Sequence, residues 1–519
     1  MHSTRVATRS SSRADANRMI AIGALAVTLL AAGLVAIMHA GGAGQQPAAR
    51  LTVLARQPAA GVTVLPESPA ATSAELAGLL LAQAPAVVVA NAASPADVTA
   101  AAATAGRDHA PLLLSPARGS AGDAKALLAV IRSLRPAAVL AAGLPVAALA
   151  GELPGVRVVA SARELPATAA AAPVQRVAVL VPAAPRTSPA LALAVAITAR
   201  VAGAKVISMP GTDPRTDPAA ITALAAAKPL TVLGVGAGFG AASLLAARVA
   251  VAETGVQLPG GGQVLFPGHE IVALYGAPAY PALGALGQQG LQASIARAKA
   301  AAAQYAPLSS LPVVPAFEII ATVASAGPGP DDNYSQVFSA ASLQPWVEAA
   351  AKAGLYVTLD LQPGRASFLA QARLYQSLLE LPNVGLALDP EWKLQPGQLP
   401  LQQIGSVSIA EVNAVASWLA ALTAEYHLPQ KLLELHEFRL SMIQDIQQLD
   451  TSYDNLAIVI NMDGQGSPVA KRQTWRAVVA GAPGGVFFGW KDFYAKDTPM
   501  LDPPQTIQHY PTPVLISYE

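Results

Sequence analysis

The sequence predicts an α/β protein with an N-terminal transmembrane helix, Rossmann-like α/β layers and a C-terminal (β/α)8 TIM barrel. Three observations predict it. An uncharged apolar run, Met19 to Ala40, follows four spaced arginines. Between Val87 and Leu233, short β-branched runs alternate with Ala-rich stretches, the pattern of parallel α/β layers. From Ile271 onward, eight apolar β-like runs recur with helical segments between most of them, the expected content of a closed parallel barrel.

Arg5, Arg9, Arg13 and Arg18 precede the first run. About 20 apolar residues cross the hydrocarbon core as a helix, and basic residues before the span orient the N-terminus inward. The expected organisation is a cytoplasmic segment 1–18, a membrane anchor 19–40, and the bulk of the chain outside, facing the cell wall. A cleaved signal peptide is the rival reading, with an apolar core of roughly 7–15 residues and a small-x-small cleavage site; Met38-His39-Ala40 is a poor site of that kind.

The chain has no cysteine, which removes a lipoprotein anchor, disulfides and thiolate chemistry. Its net charge is +1, from 33 basic and 32 acidic residues without a long basic run, so no nucleic-acid partner is expected. Composition leaves the oligomeric state open.

Residue types divide the rest. All 11 tyrosines and all 5 tryptophans follow Gly268, and only 11 of the 32 carboxylates occur through Gly262. The expected boundaries are a linker or start of the α/β region at 41–82, one α/β unit at 83–165, a second at 174–256, and the barrel at 269–519. Strands are expected at Val87–Val89, Leu112–Leu114, Val139–Leu140 and Val156–Val159, then at Val177–Val181, Lys205–Ser208 and Leu230–Leu233.

Within the first unit, Ala110-Pro111-Leu112-Leu113-Leu114-Ser115-Pro116, Leu134-Arg135-Pro136-Ala137-Ala138-Val139-Leu140-Ala141-Ala142-Gly143 and Val156-Arg157-Val158-Val159 carry a resemblance. This stretch resembles the cell wall-binding repeat of Gram-positive envelope proteins, although Ala142-Gly143 stands where that family has paired glycine. The resemblance implies attachment to a wall polymer. In the second unit, Gly236-Ala237-Gly238-Phe239-Gly240-Ala241 fits the spacing of a dinucleotide turn. The ribose-binding carboxylate expected after the next strand is missing, so it reads as a tight strand-to-helix turn and no cofactor is expected.

The eight barrel runs are Ile271–Tyr275, Val313–Ile320, Leu355–Leu361, Val384–Leu388, Lys431–Leu435, Leu456–Ile460, Val486–Trp490 and Val514–Tyr518. Outer helices are expected at Leu291–Tyr305, Ser342–Ala353, Phe368–Leu381, Ala410–Tyr426, Ser441–Leu449 and Val469–Ala480. The last connection shows no clear helix, so the upstream segment Ala241–Glu253 is expected to cover that flank.

Reactive groups of such barrels sit where strands run into the following loops. The polar residues there are Asp360 and Gln362, Asp389, Glu391 and Trp392, Glu434 and His436, Asn461 and Asp463, and Trp490 with Asp492. Crowded carboxylates raise one another's pKa, giving a protonated acid beside ionised neighbours. Glycosidic cleavage needs that pair. The expected catalytic residues are Glu391 as acid with Asp389 or Glu434 as partner. Tyr275, Trp392, Trp490 and Tyr494 can stack on sugar faces, while Asp360, Gln362, His436, Asn461, Asp463 and Asp492 supply polar contacts. Asp389-Pro390-Glu391 resembles locally the D-x-E motif of glycoside hydrolases with chitinase-like barrels, which implies a Glu acid and an orienting Asp. His436, without spaced companions in the sequence, predicts no metal site. Two functions follow: a hydrolase or transglycosylase acting on polysaccharide, or a non-catalytic saccharide-binding envelope protein. Strand-end carboxylates also cap helices, which the second reading accommodates.

Overall fold

In the computed structural model, residues 50–519 are described, and Leu51–Glu519 forms one compact unit. The expected anchor lies outside the described residues. Among the described residues, no helix is long and apolar enough to cross a membrane.

The N-terminal region contains two four-stranded parallel sheets. One has the order Leu112–Leu114, Ala86–Ala90, Ala138–Ala142, Arg157–Val159; the other has the order Lys205–Met209, Val177–Pro182, Thr231–Gly234, Gly61–Val64. The edge strand Gly61–Val64 comes from the segment read as a linker or the start of the region. Helices Pro69–Leu80 and Pro189–Ala202 bury Leu76, Leu80, Ala194 and Val195 in a core common to both sheets. Thr198 Oγ1 accepts the backbone N–H of Leu112 at 3.2 Å, tying them further. The glycine-rich turn is a single 3-10 turn, Ala237–Phe239, flanked by Gly236 and Gly240 at φ 98° and 75°. Those φ values account for both glycines without a nucleotide.

The C-terminal half is a closed barrel of eight parallel strands, consistent with a TIM barrel. Its strands are Glu270–Gly276, Val313–Ala324, Tyr356–Leu361, Val384–Leu388, Lys431–His436, Leu456–Met462, Phe487–Asp492 and Leu515–Tyr518. Pairing of the first strand with both the second and the eighth closes the ring. Val, Ile and Leu dominate these runs because strands buried on both faces lose the alternation of a half-exposed sheet.

Inside, the barrel changes character along its axis. Ile271, Val314, Ala316, Tyr356, Leu432, Ala457, Val459 and Leu515 form an apolar lower core, closed from below by Leu258, Leu265 and Phe266. Further along the strands the inward side chains become polar or ionisable, Glu318, Asp360, Glu434 and Asn461 among them.

Three expected outer elements differ. Phe368–Leu381 is two helices, Phe368–Leu374 and Gln376–Leu379, broken at Tyr375. The Tyr375 hydroxyl donates to the carbonyls of Ala321 at 2.6 Å and Phe338 at 2.8 Å. Ser441–Leu449 is not a helix: Ile443–Gln444 pairs with Val407–Ser408, Asp445 adopts φ 59°, and only Ile446–Gln448 turns. Its apolar spacing still buries Ile443, Ile446 and Leu449 on the barrel. The last flank is covered by the segment before the eighth strand, where Met500, Leu501 and Ile507 pack with Ile516 and Tyr518. Helix Ala242–Ala252 instead meets the barrel's lower end, where Arg248 Nη2 lies 2.5 Å from Asp454 Oδ1.

Candidate active site

A cavity of about 620 Å³ opens at the C-terminal end of the barrel, lined among others by Tyr275, Gln362, Asp389, Glu391, Trp392 and Asp463. Lys491, Phe438, Phe493 and Glu519 complete the wall.

Asp389 is the N-cap of a single 3-10 turn, Pro390–Trp392, and its Oδ1 accepts the N–H of Glu391 at 3.2 Å. The segment is therefore not extended, and alternation is not what aligns Asp389 with Glu391. The turn does so, aided by Gly405, whose N–H donates to the Glu391 carbonyl at 2.7 Å. A Cβ on Gly405 would fall 2.4–2.5 Å from the carbonyl oxygens of Pro390, Glu391 and Lys393, so this loop packs against the turn only because residue 405 is glycine. One oxygen each of Asp389, Glu391 and Asp463 lies within 4.8 Å of the others. Asp463 Oδ1 is buried without a hydrogen-bond partner. Burial, with Asp463 nearby, pushes Glu391 up to about 7. Burial and the neighbouring Asp360 carboxylate raise Asp389 well above the usual range.

Beneath this floor lie Glu318, Asp360, Glu434 and His436, all fully buried. His436 bonds through Nδ1 to Asp463 Oδ2 at 3.0 Å. Its Nε2 lies 2.9 Å from Glu318 Oε1, 3.7 Å from Glu434 Oε1 and 3.8 Å from Asp360 Oδ1. Asn461 Nδ2 donates to Glu434 Oε1 at 2.6 Å, and the Tyr275 hydroxyl donates to Asp360 Oδ2 at 3.1 Å. Gln362 Nε2 donates to the Tyr275 oxygen at 3.1 Å. Burial drives Asp360 up to about 7 and Glu434 to about 8, with the neighbouring Glu318 carboxylate raising both against the opposing pull of His436. Lys491 is the nearest lysine, 3.2 Å from the Tyr275 ring centroid and 3.1 Å from Glu519 Oε2.

The structure thus gathers Tyr275, Gln362, Asp389, Glu391, Trp392 and Asp463 at one cavity, with Asp360, Glu434, His436 and Asn461 directly below. Glu434, expected as a catalytic partner, does not line the cavity. Trp490 and Asp492 lie on the outer face of the seventh strand, away from this group. Trp490 Nε1 donates to Asp492 Oδ1 at 2.7 Å, and the Trp490 ring sits 4.0 Å from that of His509. Asp492 lies 3.5 Å from Lys471, which also bonds Asp497. Tyr494 is outside the cavity too, stacked on Tyr518 at 5.4 Å.

Sequence reasoning missed Glu318 below the cavity and, on its wall, Lys491, Phe438 and Phe493. Glu318 had a signal: a lone carboxylate inside the apolar run Pro315-Ala316-Phe317-Glu318-Ile319-Ile320, on the same strand face as Val314 and Ala316. No protein-family model and no curated protein sequence matches this chain.

Proposed function

We propose that the chain is an exported, membrane-anchored envelope protein whose (β/α)8 barrel cleaves or transfers glycosidic bonds of a polysaccharide. The observation that carries this reading is the trio Asp389, Glu391 and Asp463 on the wall of the cavity, with Glu391 held near pH 7. An acid with that pKa can protonate a leaving oxygen at neutral pH. Asp463 is the partner we assign: it lines the cavity, His436 holds its Oδ2, and its Oδ1 makes no hydrogen bond.

Oxygens within 4.8 Å fall near the roughly 5–5.5 Å carboxyl separation of retaining chemistry, and short of the roughly 6.5–9.5 Å that leaves room for an inverting water. Trp392, Phe438 and Phe493 offer apolar faces for sugar rings. The cavity's volume also suits a small saccharide segment.

Attachment to a wall polymer is part of the reading. At the carboxyl ends of the first sheet's strands, a groove of about 810 Å³ is lined by Asn91, Ser115, Arg118, Lys125, Arg132 and Glu152 among others. Open α/β sheets bind ligands at that end, and the excess of cations favours an anionic polymer. The membrane anchor is the apolar run 19–40.

The test is release of new reducing ends from fractionated envelope polysaccharide by the full chain and by Glu391→Gln. Loss of release on this substitution, with unchanged binding, supports the assignment. Binding without release by the unsubstituted protein would favour a saccharide-binding barrel instead.

A further inference from the structure

Below the cavity, the buried groups are arranged as a ligand set. Each of three side chains has one polar atom fixed by a neighbour: Asp360 Oδ2 by the Tyr275 hydroxyl, Glu434 Oε1 by Asn461 Nδ2, and His436 Nδ1 by Asp463 Oδ2. Their other atoms are free. Asp360 Oδ1, Glu434 Oε2, His436 Nε2 and both carboxylate oxygens of Glu318 are buried and have no hydrogen-bond partner. His436 Nε2 and Glu318 Oε1 are 2.9 Å apart but not aligned for a hydrogen bond. Glu318, Glu434 and His436 each present one of these groups within 4.8 Å of the others.

Those spacings match coordination better than hydrogen bonding. Ligands about 2.1 Å from one ion and at right angles stand about 3.0 Å apart, and opposed ligands about 4.2 Å apart. From His436 Nε2, the 2.9 Å to Glu318 Oε1 and the 3.8 Å to Asp360 Oδ1 lie at or between those values, and Glu434 stands 3.7 Å away through the oxygen that Asn461 also holds. The Asp463–His436 contact supplies the carboxylate that orients a metal-ligating imidazole and fixes its tautomer. Ionised as metal ligands are, carboxylates in a fully buried layer call for positive charge beside them. Lys491, the nearest lysine, is shared with Glu519 and the Tyr275 ring.

We propose that Glu318, Glu434 and His436 bind one divalent first-row cation, of the Zn²⁺ or Mn²⁺ type, inside the barrel beneath the cavity floor, with Asp360 Oδ1 3.8 Å from the imidazole nitrogen as a neighbouring carboxylate. One imidazole with carboxylates and no sulfur is the donor set such ions accept. The site joins the second and fifth strands across the barrel. None of its ligands lines the cavity of the acid/base reading, and the two sites meet only at Asp463, which lines the cavity and bonds His436.

Metal content of the full-length chain by plasma mass spectrometry tests it, both as purified and after chelator treatment and return to Zn²⁺ or Mn²⁺. Thermal unfolding is followed alongside. The expected result is about one equivalent of cation retained through gel filtration, with a midpoint that rises on loading. Glu318→Gln and His436→Gln should each lose that equivalent, while Asp389→Asn, in the carboxylate trio above, should keep it. If either glutamine variant fails to fold, X-ray absorption on the Zn²⁺-loaded wild type decides, since the site requires one imidazole with oxygen ligands. No retained cation and no rise in midpoint would overturn the proposal. So would a cation lost from Asp389→Asn but kept by Glu318→Gln, or an absorption spectrum without imidazole.

Discussion

Lys431 begins the fifth barrel strand and is fully buried, with its Nζ donating to the carbonyls of Leu381 at 2.8 Å and Val384 at 2.7 Å. Two neutral acceptors replace only part of an ammonium's hydration, so burial lowers its pKa from 10.5 to about 7. Below pH 7 the amine is charged in both folded and unfolded chains, and the fold carries the full desolvation cost. Between pH 7 and 10.5 the unfolded chain holds the proton while the folded one does not, so stability rises with pH across that window. One pH unit is worth about 1.4 kcal/mol, which puts the whole effect on the order of 5 kcal/mol. Lys431→Met keeps the length and removes the titration. Guanidinium unfolding of both proteins should show the wild type gaining roughly 4 kcal/mol on the variant between pH 7 and 10. A difference between the two that stays flat over this range would refute the reasoning.

Catalysis should depend on pH through Glu391. If it donates a proton, kcat/KM must fall as pH rises through about 7, where its carboxyl ionises; the residual turnover of Glu391→Gln should lack that limb. Gly405→Ala forces a methyl against three carbonyl oxygens around Glu391, so activity should drop about tenfold or more while the far-ultraviolet spectrum is unchanged. Asp454→Asn leaves Arg215 and Arg248, at 2.8 and 2.5 Å from its carboxylate, with Asp213 alone. Because Asp454 is about a third exposed, the expected cost is a modest 1–2 kcal/mol or so. It should appear as a lower unfolding midpoint and faster proteolysis between the α/β region and the barrel.

The eight barrel strands were legible because each is a compact, largely apolar run bounded by polar or turn residues, as strands buried on both faces are. That same double burial hid which side chains point inward. A one-residue shift in parity exchanges the two faces of a strand, and with both faces buried the sequence carries little to fix it. Polar residues two apart gave the right face for Asp360 with Gln362, Glu434 with His436, and Asn461 with Asp463. The same spacing misled at Trp490 and Asp492, because Lys471 on helix Pro468–Gly481 provides a buried partner outside the barrel. Lys491, between them on the strand, is the residue that faces inward and lines the cavity. Ser441–Leu449 failed differently: its apolar spacing reported burial correctly, but Asp445 in the left-handed region breaks a helix that spacing alone would continue.

The two ends of the barrel separate stability from chemistry, and this separation can be cut with a truncation. The α/β region joins the lower end through Asp454, which pairs with Arg215 at 2.8 Å and Arg248 at 2.5 Å. The cavity opens at the other end. Residues 257–268 belong structurally to the barrel, because Leu258, Leu265 and Phe266 fill its base at 3%, 1% and 2% exposure. Burying each side chain contributes about 1.5–3 kcal/mol, so the three supply on the order of 5–8 kcal/mol, comparable with the whole stability of a typical domain. A fragment starting at residue 257 should therefore keep a cooperative thermal transition, whereas one starting at residue 269 should lose it or melt far lower. Equal melting of the two fragments would mean that the lower core closes without its plug. In that case any dependence of the barrel on the upstream chain would have to rest on the α/β layers themselves.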